Sequence, residues 1–550
     1  MSIYSRCKFF FTDYLLQHPL VRYYLLQQKF NEYIKPALTK QLAFINQPEK
    51  VNIISKKILV PIIETSHYQV YQVLALAKAL EIRGVQIKVL VCGERLNGCE
   101  LKSIKSPKLN PCLECSYNLK HIVSLFGFDV EQLSDYISED EVSNFRKIAE
   151  SVCKNYPSNF LFQGIDIIPM TNDSVIRYFY GLVPEEESTE LTHRRMQHLE
   201  SSMIGVFVAN KVAVSWKPDA LLCNMNVYSS WAPYNKVFAK LGISEFLVSL
   251  SQFDYKTIVL NRWQIYLKRT RYHRWIESRK CKYLQPREKK QLEDFLSHRF
   301  SGNSQIFKDY GFFSESNEAL ATLSLNPEKR NIFLFSNVYW DVGMSEASSL
   351  FDGVISWVLQ TIEILKNDPI THLYIKTHPS EVFDSASSLK GVKDYIHEKY
   401  PVLPSNISII DPSLKIKTYE LFPFIDIGLL YNGTVGLEML LRRIPIIVTG
   451  FAPYSNIEEI SFPKTVEGYA NLLKGKEKVI SPAQEDVELF AYFYFIKMQM
   501  PWTLTKRAYA DDFKEYNFES LDELKPGNNP YLDHLCNCVL DPDNTIVEGW

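Results

Sequence analysis

Residues 331–337 (NIFLFSN), 371–378 (THLYIKTH), 406–410 (NISII), 425–431 (IDIGLLY) and 444–450 (IPIIVTG) are short apolar runs spaced by segments of helical periodicity. A continuous apolar run of this length is what a strand buried on both faces presents, and strands alternating with helices predict a parallel, doubly wound sheet. The intervening helices are expected from about Glu346 to Lys366, through Tyr395, and from Val435 to Leu441.

Working outward towards the N-terminus, the same pattern returns. KILVPII (57–63) reads as a buried strand, and Val70, Val73, Leu74, Ala77 and Leu80 then recur at helical spacing up to Gly84. VQIKVLV (85–91) reads as the next strand. A second unit runs from strand DALLCN (219–224) through a helix from Ser229 to Leu241 into strand EFLVSL (245–250), with a helix-leaning insert between the two units. The fold class expected is therefore α/β, with two Rossmann-like doubly wound parallel-sheet domains.

The division follows from what lies between and around them. Residues 1–50 read as a helical leader, 51–255 as the N-terminal Rossmann-like domain, 256–325 as a basic helical connection, 326–480 as the C-terminal Rossmann-like domain and 481–550 as a helical tail packing back on the N-terminal one. Within the connection, residues 259–301 carry twelve Lys or Arg against four acids, interleaved with Trp263, Tyr266, Tyr272, Trp275 and Tyr283. A solvated helical face and a strip for an anionic acceptor or phospholipid headgroups are the two readings of such a run. The tail stretch 484–498 (QEDVELFAYFYFIKM) is strongly apolar and long enough to cross to another domain.

Composition narrows the function classes. In 550 residues, 61 Lys and Arg stand against 63 Asp and Glu, a net charge of −2, so no global basic field is present and nucleic acid is not an expected partner. No stretch reaches the roughly 18 consecutive apolar residues of a membrane-spanning helix. The N-terminus lacks the order of a signal peptide, which makes the cytoplasm the expected compartment. Residues 8–30, aromatic and leucine-rich with scattered basic residues, have the composition of an interfacial helix, interrupted at Pro19. Docking on the protein's own core is the other reading; peripheral contact with the inner face of the cytoplasmic membrane is the functional one.

In a doubly wound sheet, ligands sit outside the carboxyl ends of the strands. Asn337 and Asp341 follow the first C-terminal strand. KTHPSE (376–381), with His378 and Pro379, follows the second. YNGTVGLEMLLRR (431–443) places Asn432, Gly433, Thr434 and Gly436 where a helix begins, with Glu438 in its first turns. Small residues at a helix start expose N–H groups that attract phosphate, and Thr434 is placed either to cap that helix or to donate to a phosphate oxygen. His378, fixed before a proline, is a hydrogen-bond partner for phosphate or a proton donor to a leaving group.

The segments KTHPSE and TVGLEMLLRRIPIIV resemble those of bacterial capsule polysaccharide biosynthesis glycosyltransferases, and the His-Pro pair is similar to that of bacterial sialyltransferases. The resemblance covers residues 330–450 well and residues 56–250 more weakly. It implies a GT-B-like architecture, two domains facing each other across a cleft, and sugar transfer from a nucleotide-activated donor to a glycan or lipid-linked acceptor. It further implies that His378 and Thr434 contact the donor phosphate, that Glu438 lies near the donor ribose, and that catalysis requires no metal. A CMP-activated acidic sugar is favoured over a UDP-sugar if the likeness extends to the donor. A nucleotide-sugar epimerase or hydrolase of the same fold, or a non-catalytic nucleotide-binding subunit, is the alternative.

Deprotonating an acceptor hydroxyl needs a base. The resemblance implies that it lies after the first N-terminal strand, where Glu64 and His67 stand; Asp341 is a third candidate. Separately, Cys92, Cys99, Cys112 and Cys115 fall in one 24-residue window whose last pair has C-x2-C spacing. A structural zinc clip and plain thiols are the two readings.

Overall fold

The structure is a computed structural model that describes residues 55–64, 68–105, 111–184, 188–251, 253, 257–262, 270–301, 323, 325, 327–340, 350–383, 388–414, 416–504 and 522–541. The leader, His67 and Asp341 lie outside the described residues.

The strands in chain order are β1 (Lys57–Ile62), β2 (Gln86–Val91), β3 (Val130–Gln132), β4 (Leu161–Phe162), β5 (Ile165–Asp166), β6 (Ala220–Cys223), β7 (Ser244–Leu250), β8 (Thr257–Arg262), β9 (Arg330–Phe335), β10 (Thr371–Lys376), β11 (Ile407–Ile410), β12 (Ile427–Leu430), β13 (Ile446–Val448) and β14 (Met500–Pro501). They form two large sheets. The first has the order β14-β8-β7-β6-β1-β2-β3, with β8 and β14 antiparallel at one edge. The second has the order β11-β10-β9-β12-β13 and is parallel throughout. Numbered within each domain, the five parallel strands of both sheets run 3-2-1-4-5, the doubly wound order in which connections on either side of the first strand lie on opposite faces.

The alternation of side chains makes two cores per sheet. In the N-terminal sheet Ile58, Val60 and Ile62 face one cluster, together with Leu222 and Phe246. Leu59, Ile63, Leu90 and Leu221 face the other. Helix Tyr68–Ile82 is apolar nearly all round because it is covered twice, by the sheet beneath and by helix Pro530–Leu540 above. Gly84, at φ 92°, turns the chain from that helix into β2, a left-handed position that glycine adopts without strain. The insert folds as helices Glu139–Cys153, Ile168–Tyr178 and Thr189–Ser215 with the small hairpin β4-β5, the first helix opened by a Ser138–Glu141 capping box.

Helix boundaries differ in places from the periodicity. The helix expected through Tyr395 is two pieces, Ser380–Phe383 and Val392–Lys399, and the helix ending near Lys366 is described from Val354 to Leu365. After helix Gln484–Tyr492 and a π turn over Phe493–Lys497, the chain leaves the C-terminal core, adds β14 to the N-terminal sheet and ends the described residues in helix Pro530–Leu540. An Arg83–Asp533 ion pair and the Lys56 ammonium, which donates to the carbonyls of Val539 and Leu540, fasten that helix down. No helix among the described residues is long and apolar enough to cross a membrane.

Candidate functional site

In the 3-2-1-4-5 order, the crevice between the first and fourth strands opens at the carboxyl edge, where the connections diverge. In the C-terminal sheet that crevice lies between β9 and β12, and the register aligns its walls. Phe335 stands beside Lys376 on one side and Leu430 on the other. Strand alternation then projects Asn337, Lys376, His378 and Asn432 towards the same face, continuing Phe335, Tyr374 and Leu430 of one core cluster. The geometry agrees: Asn337 Nδ2 donates to Asn432 Oδ1 at 2.7 Å, bridging two strand ends 95 residues apart. Among the described residues, Asn337 Oδ1 and the Ser336 hydroxyl have no hydrogen-bond partner.

Lys376 is expected from the sequence at the end of its strand, without a role assigned to it; its burial singles it out. It is 6% exposed, and among the described residues no carboxylate lies within ion-pair reach of its ammonium. Burial alone pulls its pKa down to about 8. A buried cation without a counter-charge is costly by several kcal/mol in principle, and such groups mark places where an anion is received. His378, two residues on and half-buried, is pushed down to about 4 by burial and by the Lys376 charge. It is therefore neutral near pH 7. Its Nδ1 accepts from the Ser380 N–H at 3.2 Å, which places the ring proton on Nε2. Pro379 separates the two residues that make this contact and fixes the chain between them.

The turn before helix Val435–Leu441 is partly as expected. A Cβ on Gly433 would meet only Val435 Cγ1, in ordinary contact at 3.7 Å. Thr434 has helical backbone angles and makes no capping hydrogen bond, so it opens the helix without capping it and its hydroxyl is left to another partner. Gly436 serves packing: a Cβ there would collide with the phenol of Tyr454, whose hydroxyl donates to the Gly433 carbonyl at 2.6 Å. Glu438, expected near a ribose, is 2% exposed and ion-paired with the buried Arg299 of helix Pro286–Phe300. Its carboxylate is thus engaged by the connecting segment.

At the N-terminal sheet the equivalent crevice lies between β1 and β6. Glu64, just past β1, is 4% exposed and close enough to Cys99 to raise that thiol electrostatically. Glu100 lies at the same edge and accepts hydrogen bonds from Ser174, at 2.7 Å, and Ser230. Nothing in the sequence pattern singled it out. A shallow depression of about 640 Å3 lined by Glu81, Lys88, Glu131 and Trp216 sits at the opposite, amino edge of this sheet.

The four clustered cysteines are not brought to one point. None is in a disulfide, and among the described residues no three His, Cys, Asp or Glu side chains are grouped as metal ligands. Cys92 packs against the cluster on one face of the sheet and Cys115 against the cluster on the other. Burial pushes the Cys92 and Cys99 thiols up, towards the protonated form that does not bind metal. C-x2-C here is two positions one turn apart on helix Cys112–Leu125.

The domains meet at these carboxyl edges. Tyr180 packs edge-on against Trp340 at 4.9 Å, Arg177 lies 5.0 Å from the same ring, and Tyr395 Oη donates to the Gly181 carbonyl at 3.0 Å.

No family model matches the chain, and no curated protein matches it. Among solved structures it is similar to a KpsC β-Kdo 2,4 transferase of Thermosulfurimonas dismutans, with 13% identity, a TM-score of 0.30, and 48% of this chain and 76% of that one covered. It is similar also to a KpsC β-Kdo 2,7 transferase of the same organism, with 10% identity, a TM-score of 0.31, and 64% and 94% covered. A third is the UDP-GlcNAc 2-epimerase of Neisseria meningitidis, with 11% identity, a TM-score of 0.20, and 88% and 98% covered. Likenesses at this level do not reach function, which rests on the residues of the site.

Proposed function

We propose that the protein is a glycosyltransferase of surface-polysaccharide assembly, taking a sugar from a nucleotide-activated donor held at the C-terminal sheet edge and passing it to a glycan or lipid-linked acceptor at the N-terminal edge. The observation that carries this reading is the buried Lys376, without a counter-charge among the described residues, beside neutral His378 at the crevice between β9 and β12. A nucleotide phosphate supplies the missing negative charge, and Nε2–H of His378 and the hydroxyl of Thr434 are the neutral donors placed to complete its shell. The resemblance of KTHPSE and TVGLEMLLRRIPIIV to the capsule family supports a sugar as the group transferred.

The reaction is displacement at the anomeric carbon. The acceptor oxygen bonds to that carbon as the bond to the phosphate oxygen breaks, and the electron pair leaves with the phosphate. Lys376 and His378 stabilise that charge where it develops. The acceptor proton goes to a general base, for which Glu64 is the candidate among the described residues; His67 and Asp341 are the others. The leader is the proposed peripheral contact with the cytoplasmic face of a membrane.

The test is thermal stabilisation by a panel of CMP- and UDP-linked sugars, followed by transfer assays with the stabilising donor. One donor class should raise Tm, and His378→Ala should abolish transfer. Stabilisation by none, or undiminished transfer by the variant, overturns the reading; release of free sugar without any acceptor would identify a hydrolase or epimerase instead.

A further inference from the structure

The N-terminal crevice holds side chains that neither the donor nor the base explains. Asn224 and Asn226 follow β6 directly, and extending the β1–β6 register, in which Ile58 faces Ala220 and Leu59 faces Leu221, sets Asn224 beside Ile62 and Asn226 beside Glu64. Alternation along β6 turns Asn224 to the face of Ala220 and Leu222, where helix Tyr68–Ile82 packs and Gln72 lies within its first turns. All three amides are buried, with Gln72 1%, Asn224 3% and Asn226 8% exposed. Among the described residues, neither amide atom of Gln72 or of Asn224 has a hydrogen-bond partner, nor has Nδ2 of Asn226. Buried amides are nearly always paired in folded proteins, so several orphaned atoms at one sheet edge signal a missing partner. Directly after them Tyr228 is held at φ 70°, in the left-handed region that disfavours an aromatic residue.

We infer that these amides form the acceptor subsite and bind the hydroxyls of a neutral sugar residue. The inference rests on the glycosyltransferase reading above and specifies its acceptor. A primary amide donates and accepts side by side, which matches vicinal hydroxyls, each of which also does both. The cradle carries no charge of its own and is flanked by the carboxylates of Glu64 and Glu100, so an acidic terminal residue is repelled. The two edges are thus opposite in character: Lys376 receives an anion, whereas this edge selects a neutral polyol.

Saturation-transfer NMR on the full chain tests this with methyl glycosides of glucose, galactose and N-acetylglucosamine, with methyl glucuronide as the charged control and CMP and UMP as probes of the other edge. At least one neutral glycoside should receive saturation and the glucuronide none. Asn224→Leu should reduce the glycoside signal about tenfold or more, close to the loss of a group that reads hydroxyls, with the nucleotide signals unchanged. The smaller change Asn226→Ser is expected to act in the same direction, and serves if the leucine variant does not fold. Tm of Gln72→Leu should hold or rise, because no hydrogen bond is lost. No saturation of any neutral glycoside, an undiminished signal in both asparagine variants, or a fall in Tm for Gln72→Leu that reveals an ordered-water network only, each overturns the inference. Loss of the nucleotide signals with the glycoside retained would instead fault the donor reading and leave this subsite standing.

Discussion

Lys376 carries its charge into the site at the expense of stability, and that yields a signed pH dependence. Its folded pKa is about 8, below the ordinary 10.5 of a lysine. The unfolded chain therefore binds more protons between pH 8 and 10.5, and the stability of the unliganded protein rises with pH across that window. Nucleotide binding runs the other way, because only the ammonium attracts phosphate: affinity should fall above about pH 8, approaching tenfold per pH unit. Lys376→Met should flatten that profile, weaken nucleotide binding at pH 7 by about ten- to a hundredfold, and stabilise the free protein by roughly 1–3 kcal/mol. Calorimetric titration from pH 6.5 to 9.5, with parallel melting curves, checks all three; an unchanged pH profile in the variant would remove Lys376 from the site. The sequence showed this lysine at the end of an apolar run. It did not show that no counter-ion stands beside it among the described residues, since that depends on which carboxylates the fold brings near. Asn337 and Asn432 were each legible as strand-end residues, whereas their mutual hydrogen bond needs the β9–β12 pairing.

At the scale of elements, helix Val435–Leu441 is short, and its position comes from what it packs on. Glu438 is tied to Arg299, whose guanidinium also lies 5.2 Å from the Phe253 ring. The contact spans 139 residues, which is why Glu438 read as a ligand group in the sequence and is a structural anchor in the fold. Removing one partner strands the other charge in the core. Glu438→Ala should cost about 3–5 kcal/mol, while the paired change Arg299→Met with Glu438→Leu should recover most of it. Urea melts of the two variants decide this, and equal losses in both would mean that the pair is not a closed unit. A second lesion at this helix is steric. Gly436→Ala drives a methyl into the Tyr454 phenol and should destabilise by about 1–3 kcal/mol, with the Gly433 carbonyl losing its donor as the ring moves. The strands, by contrast, were legible because each is an uninterrupted buried run. The split of the helix after β10 was not, because an apolar periodicity does not reveal that residues 388–391 stand outside it.

On the scale of the whole molecule, a contact between domains lies just past Asn337, at Tyr339 and Trp340. Trp340, 4% exposed, is held by its own domain through Nε1 donating to Ser388 Oγ at 2.7 Å, and presents its ring to Tyr180 and Arg177 of the other. Gly181, at φ 82°, lets the chain lie against Tyr339, where any Cβ would strike the phenol ring. The loop that carries Asn337 is therefore also the loop that sets how far the proposed acceptor edge stands from the proposed donor edge. Such an arrangement separates two quantities that a simple binding residue would change together. The proposed nucleotide contacts lie within the C-terminal domain alone, so Trp340→Ala should leave nucleotide affinity within about threefold. Transfer needs both edges aligned to within about an ångström, so the turnover number should fall by about ten- to a hundredfold. Nucleotide titration and initial-rate measurements on the same preparation give both numbers. Parallel loss of affinity and turnover would place Trp340 in the donor site itself, whereas loss of turnover alone identifies the aromatic contact as the element that brings acceptor and donor together.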